Sequence, residues 1–230
     1  MRQAITELKT RAPGMPGMGL VYGATGMGKT TAATIAANTF NAAYVRANVT
    51  WTTPNAMLRD LAKALGGREH HSASRNLHEV VKLLQTTGRP LLIDEAEYVT
   101  KMRDTGLDAV RDLHDMSTVP IILIGMSERG SLSINKQIVG RERLAQIKRR
   151  IAYWVEFGPL DMDEARKVVE TNCEVILDEG LLEHLYQRSH GRIGAFTVGL
   201  SKIEQFAIRN DLQSIGMADW TGELSIGEGR

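Results

Sequence analysis

The chain has 230 residues, 43% of them hydrophobic and 24% charged, with a formal net charge of +1 and a single cysteine. That length suits one large domain, or a core with a small appendage. One cysteine, Cys173, excludes an internal disulfide framework and fits a reducing cytoplasm, and as a small apolar residue on a helix it carries no chemistry. No apolar run approaches the roughly 20 residues of a membrane span, and MRQAITELKTR lacks the apolar segment of a secretory signal. The small total charge hides an uneven split: residues 1–157 hold 21 Lys and Arg against 14 Asp and Glu, and residues 158–230 hold 7 against 13. Either these charges solvate two surfaces, or the basic front half takes a polyanion.

The first element in chain order is a strand over Gly19–Tyr22. It runs into GATGMGKTT at 23–31, which fills the pattern G-x-x-x-x-G-K-[ST] with Gly23, Gly28, Lys29 and Thr30 between a strand and a helix over Lys29–Ala37. Glycines let the backbone wrap phosphates, and the helix N-terminus adds partial positive charge. The whole loop, Gly23, Ala24, Thr25, Gly26, Met27, Gly28, Lys29, Thr30 and Thr31, is therefore the candidate ATP cradle. Lys29 is placed on the β/γ-phosphates and the Thr30 hydroxyl on Mg²⁺.

A second strand covers Ala42–Arg46, and Thr53-Pro54 opens a helix that runs to Leu65 and stops at Gly66-Gly67. A polar segment follows, with Arg68, His70, His71 and Arg75. The histidine pair has no carboxylate or thiol cluster beside it, so no metal site is read there. The third strand, Leu91–Ile93, ends in Asp94-Glu95. Asp94 can orient the Mg²⁺ shell, and Glu95 can polarise the attacking water. The fourth strand, Ile121–Ile124, runs toward Met126 and Ser127; Ser127 is either a γ-phosphate sensor or part of a plain strand end. GRERLAQIKRRIAYWVEF then places Arg141, Arg143, Lys148, Arg149 and Arg150 before the last strand, Tyr153–Phe157. These form a solvated basic helix or supply an arginine finger to a neighbouring subunit's ATP, with Arg150 ahead of Arg149.

Strands alternating with helices predict an α/β fold, with a parallel five-stranded sheet sandwiched by helices over 1–158. Beyond it, DMDEARKVVETN, DEGLLEHLYQRS and GAFTVGLSKIEQFAIR predict an all-helical subdomain over 159–212, followed by a tail over 213–230 whose Gly-rich, polar end, WTGELSIGEGR, is expected to fray. Arg192 in SHGRIGAF either reaches nucleotide from that subdomain or stays a surface residue.

This order of motifs resembles an AAA+ ATPase. The stretches GLVYGATGMGKTTAA, RANVTWTTPNAMLRDLAKALGG, PLLIDEAEYV, LIGMSERG and HGRIGAF are similar to the transposition ATPases that include MuB of transposable phages, TniB and TnsC, over roughly residues 15–210. Two positions depart from the wider family. The lid arginine of initiator relatives falls on Gly194 here, with Arg192 two residues before it, and Met126 occupies the usual polar strand end. The resemblance implies ATP and Mg²⁺ as cofactors and an ATP-dependent filament or ring on non-specific double-stranded DNA. It also implies a transposase as partner. Lys101, Arg103, Arg68, Arg75, Lys136, Arg141 and Arg143 are the candidate phosphate contacts, each equally readable as an ordinary surface charge. A helicase- or clamp-loader-like ATPase and a secretion or signalling ATPase that ignores DNA remain alternatives. A small-molecule kinase fits the Asp-Glu pair and the helical subdomain less well.

Overall fold

The computed structural model describes residues 1–102, 104–127 and 133–224. It divides into two compact units: Met1–Thr25 with Lys29–Phe157, and Gly26–Gly28 with Gly158–Arg230.

The first unit is built on five parallel strands, β1 (Met18–Gly23), β2 (Ala43–Arg46), β3 (Leu91–Asp94), β4 (Ile121–Met126) and β5 (Ile151–Phe157), in the order β2-β3-β4-β1-β5. Alternation along the central strands decides which residues face which layer. Leu92, Ile122 and Ile124 point toward α1 (Arg2–Lys9) and α2 (Lys29–Phe40), where they pack with Ile5, Leu8, Ala33 and Ala36. Leu91, Ile93, Ile121 and Leu123 point the other way. They meet Leu61 of α3 (Pro54–Ala64), Leu84 of α4 (Ala73–Thr87), Val99 of α5 (Glu97–Lys101), Leu107 and Leu113 of α6 (Asp104–Ser117), Ile134 of α7 (Ile134–Val139) and Ile147 of α8 (Ala145–Lys148). Central strands covered on both faces read as unbroken apolar runs, which is why LLI and IILI stand out in the sequence.

Local chemistry sets the helix ends. Thr53 caps α3 by accepting from the Ala56 N–H at 3.2 Å, with Pro54 at the first helical position and Gly66 at φ +83° just past the end. Five helices, α1, α4, α5, α6 and α7, carry no expected bounds in the sequence analysis, α1 and α4 for local reasons. α1 buries only Ala4, Ile5 and Leu8. α4 begins at Ala73, inside the segment read as polar, so Arg75 is helical. The His, Ser and Arg residues at its start mask the Val80, Val81 and Leu84 stripe that is buried.

Gly23 is required by the sheet itself. A Cβ there would stand 2.3 Å from the Phe157 carbonyl oxygen of β5, a backbone atom that cannot step aside alone. Gly23→Ala should therefore destabilise the fold by about 1–3 kcal/mol, the usual cost of overpacking, which a denaturant titration would read as a lower midpoint. An unchanged midpoint would show that β5 yields.

The second unit carries α9 (Met162–Asn172), α10 (Glu179–Ser189) and α11 (Ile193–Arg209) around a core of Leu181, Leu185, Phe196, Leu200 and Ile203. Asp161 and Glu164 form a reciprocal capping box at the start of α9, with bonds of 2.7 and 3.1 Å. This unit also holds a small parallel ladder, β6 (Ile176–Leu177) with β7 (Ser214–Ile215). The expectation that WTGELSIGEGR frays is corrected over its described residues, 220–224. Ile215 and Leu224 are buried, and the Trp220 ring stands edge-on to Phe206 at 5.1 Å. Glycines and polar residues between those apolar anchors conceal them in the sequence. Among the described residues, no helix is long and apolar enough to cross a membrane.

Candidate functional site

The loop between β1 and α2 has the backbone that its glycines allow. Gly26 and Gly28 sit at φ +81° and +80°, where a side chain is strained. Lys29, the first residue of α2, donates its Nζ to the carbonyls of Gly23 at 2.9 Å and Ala24 at 2.7 Å, so its charge is held against the loop. Thr25 donates its hydroxyl to the Met126 sulfur at 3.3 Å. Met27 is half-buried and Thr31 is exposed.

Thr30 and Asp94 are 64 residues apart in sequence and meet directly, Oγ1 to Oδ2 at 2.9 Å. Asp94 is 3% exposed, a buried carboxylate at the end of β3. The Tyr44 hydroxyl donates to the same Oδ2 at 2.7 Å, and the Glu95 N–H donates to Oδ1 at 2.9 Å. Burial, then the bond to Asp94, push the Tyr44 phenol well above its ordinary range. A hydroxyl and a carboxylate beside a phosphate loop are hard oxygen donors, the set that suits Mg²⁺. ATP with Mg²⁺ therefore fits the residues present, with Lys29 on phosphate and Thr30 and Asp94 toward the ion.

Glu95 adopts φ +55°, an uncommon conformation for a residue with a side chain. Such outliers concentrate at functional sites. The turn directs the carboxylate to Arg46, whose Nη2 lies 3.0 Å from Oε1. Tyr44 and Arg46 were both missed in the sequence. They sit two apart on β2, in register with Leu92 and Asp94, and so share the face of Asp94; that pairing is set by the sheet order, which the sequence does not print. Both members of the Arg46–Glu95 pair reach solvent, so it adds little stability. Arg46→Ala should leave the melting temperature unchanged while altering basal ATP turnover, upward if the pair restrains Glu95. Turnover equal to wild type would show that the contact is idle.

The end of β4 closes the site. The Ser127 N–H donates to the Gly23 carbonyl at 3.1 Å, but among the described residues the Ser127 hydroxyl has no hydrogen-bond partner. The Met126 N–H donates to Oε1 of Glu97, a carboxyl only 2% exposed.

Arg149 and Arg150 lie at the other end of the sheet. Met18, the first residue of β1, donates to the Arg150 carbonyl at 2.9 Å, whereas Gly23 pairs with Phe157. Five strand steps separate those ends, roughly 17 Å at about 3.3 Å each, so neither arginine reaches its own loop. Arg150 forks onto Asp115, with Nε to Oδ1 at 2.6 Å, and also donates to the Gln146 carbonyl at 2.8 Å. Arg149 is exposed and has no carboxylate partner among the described residues. A cavity of about 660 Å³ opens there, lined by Lys9, Arg11, His114, Asp115, Arg149 and Arg150 among others.

Arg192 is the exposed N-cap residue of α11. Two residues on, the Gly194 N–H donates to the Gly26 carbonyl at 3.0 Å within the second unit. Arg68 and Arg75 are exposed before and within α4, and Lys136 is exposed on α7. Lys101 stacks over the Tyr98 ring at 4.0 Å, and Arg141 pairs with Asp104 at 3.3 Å. Arg103 and the Arg143 side chain lie outside the described residues. His70 serves the fold: buried Asn76 bonds both its N–H and its carbonyl, at 2.7 and 2.8 Å.

The family described as AAA domain matches residues 14–131, just over half of the chain. No curated protein matches the chain. Among solved structures, the Orc1 protein of Aeropyrum pernix in complex with DNA is similar with a TM-score of 0.60 and 20% identity, over 93% of this chain and 60% of that one. This chain thus spans about 60% of that protein's length. A signal transduction ATPase with numerous domains and a tetratricopeptide-repeat sensor, from Pyrococcus horikoshii, is similar with a TM-score of 0.48 and 17% identity, over 85% of this chain and 28% of that one. At 20% identity the likeness to the Orc1 protein is one of fold. With its phosphate loop, its parallel sheet and this match, the chain belongs to the AAA domain family of P-loop ATPases.

Proposed function

We propose that this chain is an ATP-dependent, non-specific DNA-binding AAA+ ATPase that assembles on target DNA and activates or directs a transposase. The observation that carries the ATPase part is the Thr30–Asp94 contact at 2.9 Å with Glu95 on the next residue. Lys29 and the N-terminus of α2 hold phosphate. Thr30 and Asp94 hold the cation that neutralises it. Glu95 takes the proton of the attacking water.

The assembly part is supported by the position of Arg149 and Arg150. Arginines that cannot reach their own loop suit a second copy's nucleotide, and Arg149 is the open donor. Bound ATP then completes an interface between copies, and hydrolysis loosens it. DNA as the surface for that assembly is supported by the excess of Lys and Arg in residues 1–157 and by the similar Orc1 structure, which is a complex with DNA. The transposase as partner rests on the sequence stretches similar to MuB, TniB and TnsC.

Sedimentation on a duplex of unrelated sequence tests the assembly. Large complexes with ATP, absent with ADP and absent for Arg149→Ala, are expected, together with stimulation of a cognate transposase by the ATP-bound form. Monomers in every nucleotide state would reject the assembly reading and favour a clamp-loader-like ATPase that requires a protein partner.

A further inference from the structure

Glu97 is a buried carboxyl that the nucleotide chemistry above leaves without a task. It is the first residue of α5, three positions past Asp94, and is 2% exposed. One oxygen, Oε1, accepts the N–H of Met126 at the end of β4. The other, Oε2, is buried with no hydrogen-bond partner among the described residues. Burial pushes the carboxyl above its ordinary range. A half-satisfied carboxyl is costly to keep inside a protein, so its presence calls for a reason.

The neighbouring backbone is built around it. A Cβ on Gly125 would lie 3.0 Å from Glu97 Oε1, so a glycine stands where the carboxylate passes. The Ala96 N–H donates to the Ile124 carbonyl at 2.9 Å, which fastens the Asp94–Glu95 turn to β4 one step earlier. From Met126 the connection continues to the loop. The Met126 sulfur accepts from Thr25 at 3.3 Å, and the next N–H, of Ser127, donates to the Gly23 carbonyl at 3.1 Å. A path of direct contacts therefore runs from the carboxylate turn, through Glu97 and the end of β4, to the first residues of the phosphate loop.

We propose that Glu97 is a positioning residue: by holding the Met126 amide, it fixes the spacing between the Asp94–Glu95 turn and the start of the phosphate loop. This rests on the ATPase reading for its catalytic consequence, but the brace itself is a property of the fold. Without the acceptor, the last residue of β4 loses its direct tie to the turn that aims Glu95, and only the Ala96–Ile124 bond one step earlier remains. Small misplacements of that kind lower the rate of the chemical step more than they weaken binding.

Two variants of similar volume separate the hydrogen bond from packing. Glu97→Gln keeps a carbonyl oxygen for the Met126 N–H, and Glu97→Met fills the space without an acceptor. Amide hydrogen exchange at Met126, measured on the full chain, should match wild type in the Gln variant and be about tenfold faster or more in the Met variant. ATP turnover should follow the same order: the Gln variant close to wild type, and the Met variant about 10–100-fold lower in kcat with KM and nucleotide affinity within about threefold. Equal Met126 protection in both variants would overturn the brace, whether or not the chain hydrolyses ATP. Kcat and affinity falling together, or an inactive Gln variant, would overturn positioning through this bond. A wild type without hydrolysis but with the expected exchange pattern would instead overturn the ATPase reading and leave the brace standing.

Discussion

Glu95→Gln is expected to bind ATP within about threefold of wild type and to hydrolyse it on the order of 10²–10⁴ times more slowly, the range associated with a positioned general base. The reasoning is geometric. Asp94 and Thr30 meet each other, and Tyr44 and the Glu95 amide complete the bonds around Asp94. Glu95 is left with an ion pair that reaches solvent, to Arg46, so its carboxylate is the group free to approach a water. Gln keeps the size and removes the base. Initial-rate assays beside equilibrium binding of a fluorescent ATP analogue separate the two effects. Equal loss of binding and turnover would make Glu95 a structural residue of the turn.

Lys29→Ala should have the largest effect on binding. Hydrogen bonds to charged groups are worth about 1.5–3 kcal/mol, so losing the ammonium predicts roughly 10–100-fold weaker ATP binding. Lys29 also bonds the Gly23 and Ala24 carbonyls at 2.9 and 2.7 Å, so the empty loop changes as well. The melting temperature without nucleotide should shift little, because the loop lies at the surface, whereas the rise caused by added MgATP should shrink, and should need roughly 10–100-fold more MgATP to be restored. A Lys29→Ala chain still stabilised by MgATP as strongly as wild type would place the nucleotide elsewhere.

The sheet was legible in the sequence because its central strands are covered on both faces, leaving runs such as LLI and IILI. The phosphate loop was legible because its glycines sit at fixed spacing for a backbone reason, seen in Gly26 and Gly28. What stayed hidden depends on which strand lies beside which. Tyr44 and Arg46 matter because β2 runs next to β3. Glu97 matters because α5 starts under the end of β4, and in the string DEAEY it reads as one more acid on a helix. Arg150 is engaged by Asp115 on α6, a residue that no local pattern connects to it. The tail misled for a simpler reason: three apolar anchors, Ile215, Trp220 and Leu224, are spaced too irregularly to announce a packed segment.

The proposed assembly depends on a nucleotide-controlled grip on DNA. The most direct test measures binding of the purified chain to an unrelated duplex with ATP, with ADP and with neither, in wild type and Glu95→Gln, across a salt series. Tight binding with ATP alone, prolonged by Glu95→Gln and falling steeply with salt as phosphate contacts require, is the predicted result. Binding indifferent to the nucleotide, or none in any state, would contradict it.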